Sequence, residues 1–474
     1  MSIAEIRSYI GGRSRIGSVM FDHVRPVDGK VIGHIFEAGV EGVEAAAKLA
    51  FSVFQANRKT PVHQRVAWLQ AAATALAANA EEIAGLISED VGKPIRNCRF
   101  EVRRGAEFLQ GCASALPQLN GDVLPLDSTA TGEGRFGFTR RIPYGVVAGI
   151  TPFNAPVNLL VQKVGPAIAA GNAVIVKPAP AGTRTALKLA QLFEEAGWPA
   201  GLFTVLTGDR ATAGALVAHP LVSAVSFTGG TAGGDALARA AGAKKFVAEL
   251  GSNAANIVMA DADIVDAAKR IAAAAFEASG QQCISAQRIL VQSSVLEQFL
   301  EQFVAAAKNM KCGQPDDPAT DVGPMVSKSS ADRVMAMCAD AIEHGARYAL
   351  PPTQDNALVT PGIVCHVATT ARLWKEEVFG PIALVAPFDT IDEALRLAND
   401  SPFGLQGSVF TRDLGAAFRF ADDFDVGALW INEASRFRLD LYPFGGVKQS
   451  GVGREGIRYA IDELSQIKFI GVRP

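Results

Sequence analysis

Cysteine, histidine and charge of one sign are all scarce in this chain of 474 residues. Its six cysteines (Cys98, Cys112, Cys283, Cys312, Cys338 and Cys365) lie scattered, with no C-x-x-C spacing. That disfavours a zinc site and points to a reducing, cytoplasmic setting. The six histidines form no H-x-x-x-H pair, and the adjacent Cys365-His366 lacks a second ligand pair, so no metal is expected. Lys and Arg number 45 against 48 Asp and Glu, a net charge of −3. This leaves no electrostatic footprint for nucleic acid or an anionic membrane. No apolar run approaches the roughly 18–20 residues of a membrane span. The opening Met1-Ser2-Ile3-Ala4-Glu5-Ile6 is too polar for a signal peptide. Internal repeats and low-complexity tracts are absent as well.

Against these absences stands a composition of 49% hydrophobic and 20% charged residues, that of a well-packed chain too long for one ordinary core. From about residue 41 to 115, Ala-rich apolar positions recur every three or four residues, predicting helices divided by Pro61 and Gly92-Lys93-Pro94. Residues 118–141 predict two short strands, Val123–Leu126 and Arg135–Arg140, in a protruding ribbon that needs a partner. Residues 144–250 alternate strand and helix. The runs Val146–Ile150, Ala173–Lys177, Phe203–Leu206, Ala224–Phe227 and Phe246–Leu250 lack polar alternation, as strands buried on both faces do. Helices are expected near 158–170, 184–196, 211–218 and 231–241, the first ending at Gly171. The expected class is α/β: a doubly wound parallel sheet with a nucleotide crevice at the carboxyl ends of its strands. A second α/β pattern runs from Asn253 to about Trp430, with strands near Ala255–Met259, Arg288–Val291 and Ala383–Pro387. Gln466–Val472 reads as a last strand, placed to pair with the ribbon.

Chemistry concentrates in a few segments. Cys283 lies in Phe276-Glu277-Ala278-Ser279-Gly280-Gln281-Gln282-Cys283-Ile284, and Glu249 in Val247-Ala248-Glu249-Leu250-Gly251. A thiolate that adds to a carbonyl and a carboxylate that activates water suffice to oxidise an aldehyde once a hydride acceptor is supplied. A lone cysteine, though, is more often an inert small hydrophobe. No G-x-G-x-x-G follows the first buried strand. Instead Phe227-Thr228-Gly229-Gly230-Thr231-Ala232-Gly233-Gly234 links a strand to a helix, and four glycines in six residues exceed what a plain turn needs. Thr151-Pro152-Phe153-Asn154-Ala155-Pro156 follows the first strand, and by itself could be a turn asparagine between prolines. Lys177-Pro178 ends the second strand, where a lysine can reach a ribose. Glu376-Glu377-Val378-Phe379-Gly380-Pro381 would in isolation be an ordinary acidic turn.

Together with Ala398–Leu405 and Pro443-Phe444-Gly445-Gly446-Val447-Lys448-Gln449-Ser450-Gly451, these segments resemble the NAD(P)-dependent aldehyde dehydrogenase superfamily from about Val43 to Glu455. The resemblance implies that Cys283 is the nucleophile and Glu249 the base for water. It pairs the Asn154 amide with the Cys283 backbone N–H as oxyanion hole, where charge develops. It assigns Thr151, Pro152, Phe153, Lys177, Pro180, Arg210, Phe227, Thr228, Gly229, Gly230, Leu250, Glu377 and Phe379 to an NAD or NADP site. Glu377 would take the nicotinamide ribose hydroxyls and Phe379 would pack beside the nicotinamide. Two departures stand out. Gly230 replaces a serine, and Pro180 replaces the glutamate that repels a 2′-phosphate, so NADP should be accepted beside NAD. Arg210 could pair with that phosphate or be a solvated surface residue.

Cys283 should be reactive if oxyanion donors and a nearby helix N-terminus lower its pKa. Glu455 could relay protons to Glu249 or salt-bridge to a neighbour. The expected reaction is oxidation of an aldehyde to an acid. A coenzyme A-acylating enzyme is the runner-up, disfavoured by Glu249, and a catalytically silent structural member is a third reading. Arg436 and Arg438, just before Phe444, suggest a tunnel for an aldehyde with an anionic far end, against the simpler reading of a salt bridge between subunits or to Asp440. Arg103-Arg104 could add a contact or be a solvated helix face. The resemblance divides the chain into a coenzyme domain (1–117 and 142–250), a catalytic domain (251–442) and an oligomerisation element (118–141 and 443–474). The ribbon and last strand are expected to pair across subunits in a homodimer or tetramer.

Overall fold

A computed structural model of the protein describes residues 4–15, 17 and 19–474, so Met1–Ile3 of the polar start lie outside the described residues. Two sheets dominate. The first has eight strands in the order Gly451–Val452, Lys245–Glu249, Val222–Thr228, Val146–Thr151, Ala173–Pro178, Phe203–Val205, Ser8–Ile10 and Arg13–Arg15. The five middle strands are parallel, and each of the three outer ones pairs antiparallel with its inner neighbour. Val146–Thr151 and Ala173–Pro178 are buried at every position, as strands covered by helices on both faces must be. Helices Asn158–Ala170, Thr183–Glu195, Arg210–Ala218 and Thr231–Ala241 make the crossovers. Gly171 ends the first of them in the left-handed conformation (φ +93°), which costs glycine little.

The second sheet has seven strands: Arg347–Leu350, Gly362–Cys365, Ile382–Phe388, Arg288–Gln292, Ala255–Val258, Gln406–Phe410 and Ala428–Ile431. All pairs but the first are parallel. Four helices, Gly39–Asn57, Val62–Ala78, Ala80–Val91 and Ile95–Ala115, fill the early helical region and pack on the first sheet. Among the described residues, no helix is long and apolar enough to cross a membrane.

Two expectations need correction. The last strand, Ser465–Val472, pairs with Phe136–Pro143 within the same chain, from Ser465 opposite Pro143 to Val472 opposite Phe136. It follows helix Ile457–Glu463, whose end lies beside Pro143, so the partner strand is already at hand. The rest of the tail (443–464) is not part of the ribbon. Gly451–Val452 joins the first sheet next to Glu249, and Ile457, Ile461 and Leu464 belong to the first core.

Candidate active site

The two sheets bring their strand ends together around Cys283. Upstream of it, Ala278 (φ +52°), Ser279 (φ +59°) and Gly280 (φ +62°) form a left-handed turn. Two non-glycine residues held there store strain of the kind that gathers at functional sites. A Cβ at Gly280 would collide with the Gly380 carbonyl oxygen, so only glycine fits. Cys283 then sits half-buried beside Ile284, Leu405, Phe444 and Tyr442. Burial pushes its thiol up to about 12, Glu377 adds to the rise, and Arg438 opposes it. The expectation of a thiol lowered by a helix N-terminus therefore fails. Cys283 follows a 3-10 turn rather than opening a helix, and its burial outweighs the opposing Arg438.

Glu249 ends strand Lys245–Glu249 and is 2% exposed, yet neither carboxylate oxygen has a hydrogen-bond partner. A buried unpaired carboxylate is costly and favours its neutral form. Burial and then the neighbouring Glu455 push its pKa well above the usual carboxylate range, with Arg438 and Lys163 opposing. Glu455 is the opposite case. Burial raises it, but Lys163 and Arg438 outweigh that and hold it below the usual range. Lys163, fully buried, donates to Glu455 Oε1 (3.1 Å) and to Thr228 Oγ1 (2.6 Å). Thr228, a predicted coenzyme residue, thus turns its hydroxyl inward to this cluster. Asn154 donates through Nδ2 to the Gln281 carbonyl at 2.9 Å, two residues before Cys283.

The crevice expected to take the coenzyme lies where Thr151, Pro178 and Thr228 end neighbouring parallel strands. Helix Thr231–Ala241 follows Gly230 and no side chain caps it, so its first amides can meet a pyrophosphate. The ring of Phe227 packs under Gly229 and Gly234, and the Leu250 side chain meets Gly234. Phe153 and Phe379 pack edge to face (5.8 Å), and Phe379 itself is left-handed (φ +47°). The carboxylate of Glu377, raised to about 7 by burial, accepts from Ser252 N–H at 2.9 Å. At the far end, burial lowers Lys177 to about 8, opposed by Asp209 and Glu37. Pro180 opens a 3-10 turn beside it, and Arg210 is exposed at the start of its helix, which Asp209 caps. The donors and cradle present fit a dinucleotide.

The arginines separate. Arg436 donates to Gln282 Oε1 (3.0 Å) and Glu277 Oε2 (2.7 Å). Arg438 is 7% exposed at its side chain, donates to Glu455 Oε2 (3.0 Å) and Gln162 Oε1 (3.2 Å), and lies 3.5 Å from the centre of the Phe444 ring. Its approach to Asp440 is only 4.0 Å. Arg104 is not a solvated helix residue: it pairs in bidentate fashion with Asp440 (2.9 and 2.7 Å), leaving Arg103 on the exposed face. Sequence reasoning missed Lys163, Lys93, Glu101 and Gln281. A lysine inside the largely apolar Leu159-Leu160-Val161-Gln162-Lys163-Val164 was the available signal for the first.

Fold and site together define a nucleotide-dependent enzyme with a thiol and a carboxylate at its centre. Residues 14–470 match the model of the aldehyde dehydrogenase family, and the chain belongs to that family. It is 42% identical to a 3-sulfolactaldehyde dehydrogenase of Priestia aryabhattai over 86% of each chain. An NAD-dependent aldehyde dehydrogenase from Sinorhizobium meliloti shares its fold at a TM-score of 0.94, with 33% identity over 99% of this chain and 95% of that one. An E. coli NADP-dependent enzyme does so at 0.95, with 31% identity over 99% and 98%. The protein is thus an aldehyde dehydrogenase, and the solved structures it resembles include NAD- and NADP-dependent enzymes.

Proposed function

We propose that the enzyme oxidises a small aldehyde with an anionic far end to the carboxylic acid, using Cys283, Glu249 and Asn154. The Cys283 thiolate adds to the aldehyde carbon, and the oxyanion that forms is met by the Asn154 Nδ2–H and the Cys283 N–H. A bound NAD(P)+ would supply the hydride acceptor, and loss of hydride from the hemithioacetal carbon leaves a thioester on Cys283. Glu249 then removes a proton from water, the hydroxide adds to the thioester, and the carboxylic acid departs as the thiolate re-forms. Glu377, Phe379 and Phe153 would hold the nicotinamide end of the coenzyme, and Lys177 its adenosine ribose.

The observation that carries this reading is the unpartnered, buried carboxylate of Glu249 in one site with Cys283. A carboxylate with only a structural role would be hydrogen-bonded, whereas one kept free can take a proton from water. It also favours water over coenzyme A as acceptor. For the anionic substrate, Arg438 is the better-supported contact. Both arginines are already bonded, Arg436 to Glu277 and Gln282 and Arg438 to Glu455 and Gln162, but Arg438 keeps a buried Nε–H without a partner and stacks on Phe444 in the apolar group around Cys283. The relative that acts on 3-sulfolactaldehyde, an anionic aldehyde, supports the same class. A homodimer or tetramer and a reducing cytoplasmic setting complete the reading.

The test is absorbance at 340 nm with 3-sulfolactaldehyde and with lactaldehyde, the same skeleton without the sulfonate, with each coenzyme and with and without coenzyme A. Preference for the sulfonate without need of coenzyme A is expected. Strict dependence on coenzyme A would overturn the hydrolytic reading, and equal use of both aldehydes the anionic one.

A further inference from the structure

Lys93 and Glu101 fasten the loop that carries Asn154, and no step above uses them. Lys93 lies in the turn between helices Ala80–Val91 and Ile95–Ala115, and Glu101 in the second helix. Glu101 is 2% exposed. Its Oε2 pairs with Lys93 Nζ, and its Oε1 accepts from the backbone N–H groups of Val157 (2.7 Å) and Asn158 (3.2 Å). These amides open helix Asn158–Ala170, which no adjoining side chain caps. A carboxylate suits that position because the helix N-terminus is partly positive. Lys93 Nζ also donates to the Asn154 carbonyl oxygen at 3.1 Å.

The turn that bears Lys93 is itself registered to the Cys283 loop. Gly323 packs on the Gly92 carbonyl so closely that a Cβ would collide. From the same segment, Gly323 O accepts from Ser279 Oγ (2.7 Å) and Val326 N–H donates to Gln281 Oε1 (3.0 Å). Gln281 in turn takes the Asn154 amide on its carbonyl. The Asn154 loop is therefore pinned from behind by Lys93 and Glu101, and from the front by Gln281.

A buried ion pair is weak evidence for stability, since desolvation of two charges offsets most of their attraction. Here the further bonds of the pair all go to the segment that presents Asn154. We propose that Lys93 and Glu101 are positioning residues, which set the Asn154 backbone so that its side-chain amide meets the oxyanion formed at Cys283. The proposal rests on Asn154 being an oxyanion donor.

The test uses 4-nitrophenyl acetate on the intact enzyme. Attack of Cys283 on this ester passes through an oxyanion of the same kind, forms acetyl-Cys283 and releases 4-nitrophenolate, with neither aldehyde nor coenzyme needed. Acylation rates are compared for wild type, Asn154→Ala, Lys93→Met, Glu101→Gln and the doubles Lys93→Met/Asn154→Ala and Glu101→Gln/Asn154→Ala. Asn154→Ala should lose about 100-fold, the size of one oxyanion donor. Lys93→Met and Glu101→Gln should each lose roughly 10-fold or more through misplacement. The doubles should be no slower than Asn154→Ala within about twofold, because the pair acts only through Asn154. Glu101→Gln keeps an acceptor for both amides, so it supplies the same cycle should Lys93→Met not fold. Multiplying losses in the doubles, or wild-type rates in both single variants of the pair, would overturn the proposal. A wild-type rate for Asn154→Ala would instead overturn the oxyanion reading beneath it, and absence of Cys283-dependent cleavage would overturn both.

Discussion

Arg438 donates to one oxygen of Glu455 while Lys163 donates to the other, at 3.0 and 3.1 Å. With both its oxygens held by cations, Glu455 is held below the usual carboxylate range, and its charge helps to raise the pKa of the nearby Glu249. Two carboxyl groups whose environments push their pKa values apart are the arrangement from which acid and base roles arise. Glu249 must lose its proton to activate water, so hydrolysis should rise as pH rises through the Glu249 pKa. In Glu455→Gln the neighbouring negative charge is gone while Lys163 and Arg438 remain. The Glu249 pKa should then fall, and the acidic limb of kcat should move to lower pH. A pH profile of steady-state turnover checks this, and a limb that stays in place or moves upward would contradict it.

Glu249→Gln keeps the volume of the side chain but cannot accept a proton. Thioester formation does not need that proton, so the variant should release close to one equivalent of reduced coenzyme and then stall. Loss of one catalytic base typically costs on the order of 100- to 10,000-fold in the step it serves. Stopped-flow absorbance at 340 nm separates the burst from the steady state. Unimpaired steady-state turnover would show that another group activates water.

How much of this was legible in the sequence depends on chain separation. The buried parallel strands were readable because uninterrupted apolar runs such as Val146–Thr151 and Ala173–Pro178 announce themselves locally. The outer strands Ser8–Ile10, Arg13–Arg15 and Gly451–Val452 have two or three residues, too few to carry a period. Cys283, Glu249 and Asn154 stood out through the motifs around them. The ion pairs of Glu101 with Lys93, of Glu455 with Lys163 and of Asp440 with Arg104 join residues 8, 292 and 336 positions apart. Such pairs depend on side-chain geometry that no local pattern encodes. The raised thiol of Cys283 was misread for a related reason: its burial comes from Leu405, Phe444 and Tyr442, far along the chain.

In the coenzyme site proposed above, Pro180 leaves out one carboxylate at the ribose end, but Glu37 and Asp209 both act electrostatically on Lys177. Asp209 is fixed as a helix cap by the Ala211 N–H (2.7 Å), and Glu37 by the Thr212 hydroxyl (2.7 Å). NADP should be used beside NAD, with these two carboxylates limiting it. Neutralising one partly screened charge near a phosphate is worth about 1 kcal/mol. Glu37→Gln should therefore raise the NADP-to-NAD ratio of kcat/KM roughly fivefold. An unchanged ratio would mean that Glu37 does not face the 2′-position, and strict use of NAD that some other group excludes the phosphate.

The three-stranded ribbon exposes Val123 (70%), Phe136 (50%), Ile467 (64%) and Phe469 (50%), and both of its outer strands have open edges. An apolar, unpaired edge of this kind invites a second copy of the chain. Light scattering at micromolar concentration should give at least twice the 49.8 kDa of one chain. Ile467→Asp with Phe469→Asp should lower that mass toward one chain. A wild-type mass near 50 kDa would contradict the assembly.

Arg438 is tied to Glu455 and also stacked on Phe444 next to Cys283, so its removal should touch both substrate binding and hydrolysis. The two effects can be separated kinetically. Once hydride transfer is effectively irreversible, kcat/KM covers only steps up to that transfer, whereas the Glu249 step appears in kcat alone. A charge-assisted hydrogen bond to an anion contributes about 2–3 kcal/mol. Arg438→Met should therefore lower kcat/KM for 3-sulfolactaldehyde by roughly 30- to 150-fold, while that for lactaldehyde changes little. Steady-state kcat should fall for both aldehydes, because Arg438 is one of the cations that lower the Glu249 pKa, and without it less of Glu249 is ionised to activate water. Arg436→Met removes a residue already bonded to Glu277 and Gln282, and serves as the comparison. Equal losses of kcat/KM on the two aldehydes in Arg438→Met would confine Arg438 to holding Glu455. A selective loss in Arg436→Met instead would move the anion contact to that residue.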